Sequence, residues 1–156
     1  MKQISLLVID DNRVSLLLPN IALSGQGVEV FECDNAESGL EILQNKKITH
    51  ILLDISMPEL NGIELAKEIR NSKRYDAIKI IAYTANSAYT SSQDLSQYGF
   101  DRVLIKPFKL NELLQILTWL DKTILSCNMY QLSATFDRQQ AKNPPHMDFD
   151  GVIRNP

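Results

Sequence analysis

Three acids stand where apolar runs end, and their types and spacing could support chemistry. Asp10 and Asp11 follow the run ISLLVI near the start of the chain, and Asp54 follows the later run ITHILL. A hydroxyl group, on Thr84, and an ammonium group, on Lys106, end two further apolar runs. Carboxylates that lie close together repel one another, and a divalent cation would relieve that repulsion. Carboxylate oxygens suit Mg²⁺, which also bridges to phosphate oxygens.

The same five residues supply the parts of a phosphoryl-transfer site. A carboxylate can attack a phosphoryl group and form an aspartyl phosphate, which is the part expected of Asp54. Asp10 and Asp11 would hold the metal. The Thr84 hydroxyl and the Lys106 ammonium would donate to phosphoryl oxygens, and backbone N–H groups after the nucleophile would bind the third oxygen. The alternative for Asp10 and Asp11 is that they only cap the helix that follows.

An alternation of strands and helices places these residues at one edge of a sheet. Apolar runs predict five strands, and a predicted helix follows each of them, of which the fourth is polar and only weakly amphipathic. Such alternation is typical of an α/β fold, a doubly wound parallel sheet flanked by helices on both faces. Ligands of such sheets bind outside the carboxyl ends of the strands. The predicted strands are 4–10, 28–34, 48–54, 77–84 and 102–106, and the predicted helices fall within 12–27, 35–46, 56–73, 85–99 and 109–125.

Two of the predicted helices have a clear apolar side. In the first helix this side consists of Val14, Leu17, Leu18, Ile21 and Ala22. Pro19 lies inside the same helix, where its missing backbone N–H is expected to produce a kink. In the last helix the apolar side consists of Leu110, Leu113, Leu114, Leu117 and Leu120.

The composition is that of an ordinary globular domain. The 156 residues are 44% hydrophobic and 22% charged, with a net charge of -3, which suits one domain with a single core. A nucleic-acid surface would need a basic stripe and a membrane span a long apolar run, so neither is expected. Cys33 and Cys127 are far apart and predict reduced thiols in a cytoplasmic protein. His50 is expected to be a structural strand residue, and Tyr83 and Tyr98 are expected to serve ordinary packing.

Four segments together resemble one protein family. VIDDN, ILLDISMPELNG, IIAYTA and VLIKPF follow one another in the order and spacing of the receiver domain of two-component response regulators, the CheY-like superfamily. The resemblance implies a flavodoxin-like sheet with strand order 2-1-3-4-5 and a receiver domain over residues 1–122. The C-terminal extension, 123–156, is expected to continue the last helix and then to become loosely ordered.

The resemblance also implies a role for each residue of the cluster. Asp54 is implied to be the phosphoacceptor and a metal ligand. Mg²⁺, for which Mn²⁺ can substitute, is implied to bind Asp11 directly and Asp10 largely through water. The backbone carbonyl of Ser56 is implied to complete the protein ligands, and Lys106 to pair with the phosphoryl group.

Residues around the cluster are implied to have supporting roles. The peptide bond before Pro107 is expected to be cis. Ser56 and Asn86 occupy positions that tune how fast the phosphoryl group is lost. Pro58 and Gly62 are expected to shape the loop after the phosphoacceptor.

One position departs from the family pattern. Three positions before the lysine, the family usually has an aromatic residue that rotates inward on phosphorylation, and here that position is Val103. Valine is stiff at χ1 and has no ring to rotate. Val103 is the only support for one alternative, a receiver-like interaction module that takes no phosphate, and the presence of all five active-site residue types argues against that alternative. A second alternative, an aspartate-nucleophile phosphatase, would need an acid at position 56, which is Ser56.

The partners are likewise implied by the resemblance. A histidine kinase or a histidine phosphotransfer protein is expected to supply the phosphoryl group. Phosphorylation is expected to switch the binding of a downstream partner. The protein is expected to assist its own phosphorylation and dephosphorylation without being an enzyme. No direct nucleic-acid binding and no membrane insertion are expected, and an extended last helix could support a homodimer.

Overall fold

The computed structural model describes residues 3–57, 61–86 and 95–120. The strands are β1 (Ser5–Ile9), β2 (Glu29–Cys33), β3 (His50–Asp54), β4 (Lys79–Thr84) and β5 (Arg102–Ile105). The helices are α1 (Arg13–Leu23), α2 (Ala36–Asn45), α3 (Gly62–Arg70) and α4 (Leu110–Leu120), with a 3-10 helix at Lys73–Tyr75. Within the described ranges, no helix has the length and apolar character needed to span a bilayer. The predicted extension 123–156 and most of the helix predicted within 85–99 lie outside the described residues.

All five strands pair in parallel, in the order β2-β1-β3-β4-β5. The predicted doubly wound sheet and its strand order are therefore confirmed. Right-handed crossovers put α1, which joins β1 to β2, on one face of the sheet. The connections through α2 and α3 run the other way across the sheet, so these helices cover the opposite face. β1 and β3 are buried along their whole length, as expected of central strands covered on both faces.

Side chains alternate between the two faces of each strand and build a core on each. The core cluster against α2 and α3 includes Leu7, Ile9, Ile51, Leu53, Ile80, Ala82, Leu43, Leu65, Ala66 and Ile69. The alternate strand positions, such as Leu6, Leu52 and Ile81, are fully buried as well and point to the face that α1 covers. His50 is a buried residue of β3, in agreement with the structural role predicted for it.

The apolar side of α1 named from the sequence is not its buried side. Leu16, Pro19 and Leu23 are the buried residues of α1, whereas Val14 is 64% exposed and Ile21 69% exposed. The helix has apolar residues at helical spacing on both sides, so periodicity predicts the helix without deciding which side meets the sheet. The helix runs from Arg13 through Pro19 to Leu23, with the proline ring on the buried side.

Asparagine side chains cap three helices. The Asn12 carboxamide oxygen accepts hydrogen bonds from the backbone N–H groups of Val14 and Ser15, at 2.9 and 3.2 Å. Asn35 caps α2 and Asn61 caps α3 in the same way. Asparagine is a favoured N-cap because its side chain satisfies donors that the helix leaves free. Since Asn12 is the N-cap of α1, the alternative that the two acids before it serve as the cap is wrong.

Candidate functional site

Three acids meet at the carboxyl edge of the sheet. Ile9 and Leu53 are partners in the β1–β3 ladder, so Asp10 and Asp54, one residue further along each chain, emerge side by side. Asp11 joins them from the start of the following loop. One carboxylate oxygen from each of the three acids lies within 4.8 Å of the others. Asp10 and Asp54 are buried while Asp11 is exposed, which leaves the cluster open to solvent on one side.

Lys106 supplies positive charge to this cluster. Its ammonium nitrogen lies 2.5 Å from Asp10 Oδ2 and 2.9 Å from Asp54 Oδ2. Its side chain is 16% exposed. The Lys106–Pro107 peptide bond is cis, as the family resemblance implied, and Pro107 is exposed. A single ammonium thus bridges two of the three carboxylates.

The other oxygen of each buried acid is held by the backbone. Asp10 Oδ1 accepts a hydrogen bond from the N–H of Asn12, and Asp54 Oδ1 accepts one from the N–H of Ser56, both at 2.9 Å. The pKa of Asp10 is raised above its usual range by burial, with the charge of Asp54 adding to the effect. The bonds from Lys106 and Asn12 oppose this shift of the pKa and do not cancel it.

The donor set fits a divalent cation. Burial disfavours the charged form of Asp10. The one positive charge of Lys106 balances only one of the three carboxylates, so the cluster keeps an excess of negative charge. Carboxylates in this arrangement are the ligands that Mg²⁺ prefers, together with water. The residues that could hold the ion are Asp10, Asp11 and Asp54.

Thr84 ends β4, next to the strand that carries Asp54. Its side chain is fully buried, and its hydroxyl oxygen accepts a hydrogen bond from the backbone N–H of Asn86 at 3.1 Å. Because the oxygen accepts this bond, the hydroxyl hydrogen can still be donated to another group. Asn86 itself is exposed, and so is Ser56, at the corresponding position after Asp54.

Gly62 does more than shape a loop. A Cβ atom at this position would lie 2.0 Å from the backbone oxygen of Asp54, which no side chain can tolerate. The N–H of Gly62 also donates to the carbonyl of Ile55 at 3.2 Å. The glycine of the D-x-x-M-P-x-x-x-G segment is therefore needed for the first turn of α3 to pack against the backbone of Asp54. Pro58, in the same segment, lies outside the described residues.

Two further positions were considered from the sequence. Val103, in place of the usual aromatic residue, is half-buried in β5 and packs against the core cluster on the α2–α3 face. Tyr83, expected only to pack, lies with its ring centroid 4.6 Å from the ammonium nitrogen of Lys106. Burial, followed by the charges of Asp10 and Asp54, raises the pKa of Tyr83 to about 12. Sequence reasoning missed this contact, although Tyr83 is the residue of β4 that separates Asp54 from the strand of Lys106.

Residues 6–118 match the sequence profile of the response regulator receiver domain. The chain belongs to this family. It is 31% identical, over 116 residues, to the CAI-1 autoinducer sensor kinase/phosphatase CqsS of Vibrio cholerae, covering 73% of this chain and 17% of that protein. It is therefore homologous to the receiver domains of two-component systems.

Solved receiver structures support the same assignment. The response regulator TrrA of Thermotoga maritima, solved with Mg²⁺ and BeF, is 34% identical with a TM-score of 0.65, covering 75% of this chain and 98% of that one. The receiver domain of a Pseudomonas aeruginosa sensor histidine kinase is 28% identical with a TM-score of 0.66, covering 76% of this chain and 98% of that one. That domain was crystallised with a magnesium ion in its active-site cleft.

The chain spans less than half the length of the curated relatives that it matches here. The chain spans 17% of CqsS and 47% of the KDP operon regulatory protein KdpE of Escherichia coli. The predicted domain boundary at residue 122, the cytoplasmic location, the absence of nucleic-acid binding and the homodimer stay predictions.

Proposed function

We propose that this receiver accepts a phosphoryl group on Asp54 from a histidine kinase or a histidine phosphotransfer protein, in a reaction that requires Mg²⁺. One observation carries the proposal: Asp10, Asp11 and Asp54 converge on one edge of the sheet with the Lys106 ammonium bonded to Asp54. The family membership supports it, as do the magnesium-bound relatives.

The transfer is a displacement at phosphorus. An oxygen of the Asp54 carboxylate attacks the phosphorus of a phosphohistidine on the donor protein. The new P–O bond forms as the P–N bond breaks, and the electron pair of the P–N bond returns to the imidazole nitrogen. Such reactions depend mainly on positioning and on neutralising the charge of the phosphoryl oxygens.

The residues of the chain divide this work. The Ser56 N–H and Lys106 hold the two oxygens of Asp54 and so orient the nucleophile. The Lys106 ammonium and the Thr84 hydroxyl then donate to phosphoryl oxygens. Asp10 and Asp11, with Asp54 and the carbonyl of Ser56, would hold Mg²⁺ or Mn²⁺, which when bound neutralises phosphoryl charge. The protein is consumed as the acceptor in each transfer, so we class it as a phosphoacceptor and not as an enzyme.

The exposed apolar side of α1 is the proposed contact for the protein donor. Val14, Leu17, Leu18 and Ile21 are exposed, and α1 begins two residues after Asp11, so this surface starts near the acids and extends along the helix. Exposed apolar patches commonly mark protein interaction sites. Ile21→Lys is expected to slow transfer from a protein donor and to leave phosphorylation by a small-molecule donor unchanged. Equal slowing with both donors would contradict this contact.

Intact mass spectrometry tests the phosphoacceptor itself. The protein is incubated with a small-molecule phosphodonor and Mg²⁺, beside an Asp54→Asn control. One added phosphoryl group is expected in the wild type, with none in the variant and none when the metal is chelated. No addition from either a small-molecule or a protein donor would favour the receiver-like module that takes no phosphate. Catalytic release of phosphate from added phosphoesters would favour the phosphatase.

A further inference from the structure

Lys106 has to reach across a strand to contact Asp54. Lys106 follows β5 and Asp54 ends β3, and β4 lies between these two strands. Neighbouring strands are about 4.8 Å apart, so the side chain of Lys106 must cover roughly twice that distance. The ammonium nevertheless lies 2.9 Å from Asp54. The lysine side chain therefore passes over β4.

The residue of β4 at the crossing point is Tyr83. It is the ladder partner of Asp54 on one side and of Leu104 on the other. Lys106 stands two positions after Leu104 and therefore leaves its strand toward the same face. The ring of Tyr83 thus lies directly under the path from Lys106 to the acid.

The contact has the geometry of a cation–π interaction. The Lys106 nitrogen is 4.6 Å from the ring centroid, within the range at which the negative face of the ring attracts an ammonium group. Tyr83 is 1% exposed, so water competes little for the contact. The ring is in turn held by Phe108, at a centroid distance of 5.9 Å and an interplanar angle of 64°, an edge-to-face arrangement that aromatic pairs favour.

We propose that the aromatic ring of Tyr83 is the platform that positions the Lys106 ammonium on Asp10 and Asp54. Tyr83 is then a positioning residue for phosphoryl transfer, a role that rests on the proposed function. A lysine has a flexible four-carbon stem and a point charge, so two acids alone leave the stem free to move. A buried tyrosine that only fills space could be replaced by any apolar residue of similar size, whereas a platform requires the ring.

A matched pair elsewhere in the chain provides the control. Lys67 lies over the ring of Tyr98 at 4.8 Å, on α3 and before β5, and neither residue contacts the acids named above. Tyr98 is partly buried against the core cluster whereas Tyr83 is 1% exposed, so replacing Tyr98 controls for the loss of a lysine–ring contact that lies away from the acids.

The first experiment measures the rate of phosphorylation by a small-molecule phosphodonor at saturating Mg²⁺. Tyr83→Leu is expected to be slower than the wild type by about thirtyfold, the rate equivalent of one desolvated cation–π contact. Tyr83→Phe, which keeps the ring, is expected to be phosphorylated at the wild-type rate. Tyr98→Leu is expected to be phosphorylated at the wild-type rate as well. Equal rates in Tyr83→Leu and Tyr83→Phe would overturn the proposal, as would a loss in Tyr98→Leu as large as that in Tyr83→Leu.

A second measurement does not depend on phosphorylation and starts from the wild type. Protons above the face of an aromatic ring resonate upfield, so the ε-methylene protons of Lys106 are expected to be shifted upfield in the NMR spectrum of the wild type. The shift should persist in Tyr83→Phe. An unshifted Lys106 signal would overturn the proposal even if Tyr83→Leu does not fold. If the wild type takes up no phosphoryl group, the proposed function fails, while this shift still decides whether Tyr83 holds Lys106.

Discussion

Two charge clusters lie at opposite edges of the same sheet, and they are built differently. At the carboxyl edge, Asp10, Asp11 and Asp54 lie together, and the ammonium of Lys106 contacts Asp10 and Asp54. The second cluster lies at the edge where β4 and β5 begin, and it is made of Arg70, Asp101 and Lys79. The cluster at the carboxyl edge has more acids than cations. The cluster around Arg70 has more cations than acids, and Arg70 donates hydrogen bonds to backbone carbonyls.

The second cluster is satisfied by the fold itself. Arg70 donates to the carbonyls of Gly99, Tyr75 and Ile78 and to the carboxylate of Asp101, at 2.8 to 3.3 Å. The same oxygen of Asp101 also accepts the N–H of Ile80. These bonds tie α3, the 3-10 helix and two strands together, and they require no further ion.

The comparison separates a structural cluster from a site. A cluster that only stabilises the fold can balance its charges and hydrogen bonds with local groups. The acids at the carboxyl edge keep a negative excess that costs stability, because like charges repel and burial disfavours ionised groups. Such a cost is tolerated where a ligand of opposite charge binds. The two clusters should therefore respond in opposite ways to the loss of a charge.

The largest expected effect is on the structural cluster. Arg70→Met should lower the free energy of unfolding by about 3 kcal/mol, because it removes the arginine partner of Asp101 and four hydrogen bonds that join separate segments. Urea denaturation followed by circular dichroism measures this loss. Mg²⁺ affinity should stay the same, since the change is at the other edge of the sheet. A loss below about 1 kcal/mol, the value of a surface ion pair, would show that the cluster is not structural.

A pair of glycines gives the next comparison, because each cluster rests on one. A Cβ at Gly62 would meet the backbone oxygen of Asp54 at 2.0 Å, and a Cβ at Gly99 would meet Arg70 Cγ at 2.5 Å. Gly99 also has a φ of +95°, which favours glycine. Both Gly62→Ala and Gly99→Ala should cost about 1–3 kcal/mol of unfolding free energy.

The two glycine variants should differ in function. Gly62→Ala displaces the backbone of Asp54 and should slow its phosphorylation, whereas Gly99→Ala should leave the rate unchanged at a temperature where both variants are folded. Intact mass at fixed times after addition of a small-molecule phosphodonor measures the two rates. The same rate in both variants would remove the distinction between the clusters.

The fold was predictable because its signals are repeated along the chain. Five apolar runs alternate with helical spacing, and parallel strands bring their carboxyl ends to one edge, so Asp10, Asp54 and Lys106 could be placed together before their distances were known. The order of the strands followed from the family resemblance. Gly62 could be assigned to a loop but not to the backbone of Asp54, since close approach is a property of packed elements.

Other features had no signal in the sequence. Arg70 ends an amphipathic helix, where an arginine is usually solvated, and its four bonds depend on loops that come together only in the folded chain. The buried side of α1 was hidden because apolar residues stand on both sides of the helix, with Leu16 and Leu23 buried and Ile21 exposed. Tyr83 could have been singled out only by combining the strand order with the ladder register, which places it between Asp54 and Leu104.

The next prediction removes one acid from each cluster. Asp10→Asn should raise the free energy of unfolding of the metal-free protein by about 1 kcal/mol, because it removes a buried charge and its repulsion from Asp54. It should also weaken Mg²⁺ binding about 10- to 100-fold. Asp101→Asn should lower the free energy of unfolding, since it removes the charge that Arg70 binds. Urea denaturation in the presence of a chelator compares the two signs, and the same sign in both variants would contradict the comparison.

The smallest expected effect is the pH dependence of the difference in unfolding free energy between Asp10→Asn and the wild type. The pKa of Asp10 is raised above its ordinary value of 3.8, first by burial, so the folded protein binds this proton more tightly than the unfolded chain does. The contribution of Asp10 to stability is then fully present below 3.8 and is lost as the pH rises through the raised pKa. Asp10→Asn resembles the protonated acid, so its advantage over the wild type should be small in acid and grow as the pH rises.

Mg²⁺ should reverse this trend, because the metal and the proton compete for the same carboxylate. With Mg²⁺ present, the wild type should gain stability relative to Asp10→Asn as the pH rises. Urea denaturation from below pH 3.8 to above the raised pKa of Asp10, with Mg²⁺ and with a chelator, measures both trends. An advantage of Asp10→Asn that is constant with pH would mean that Asp10 carries no excess charge cost, and the carboxyl edge would then be balanced in the same way as the cluster around Arg70.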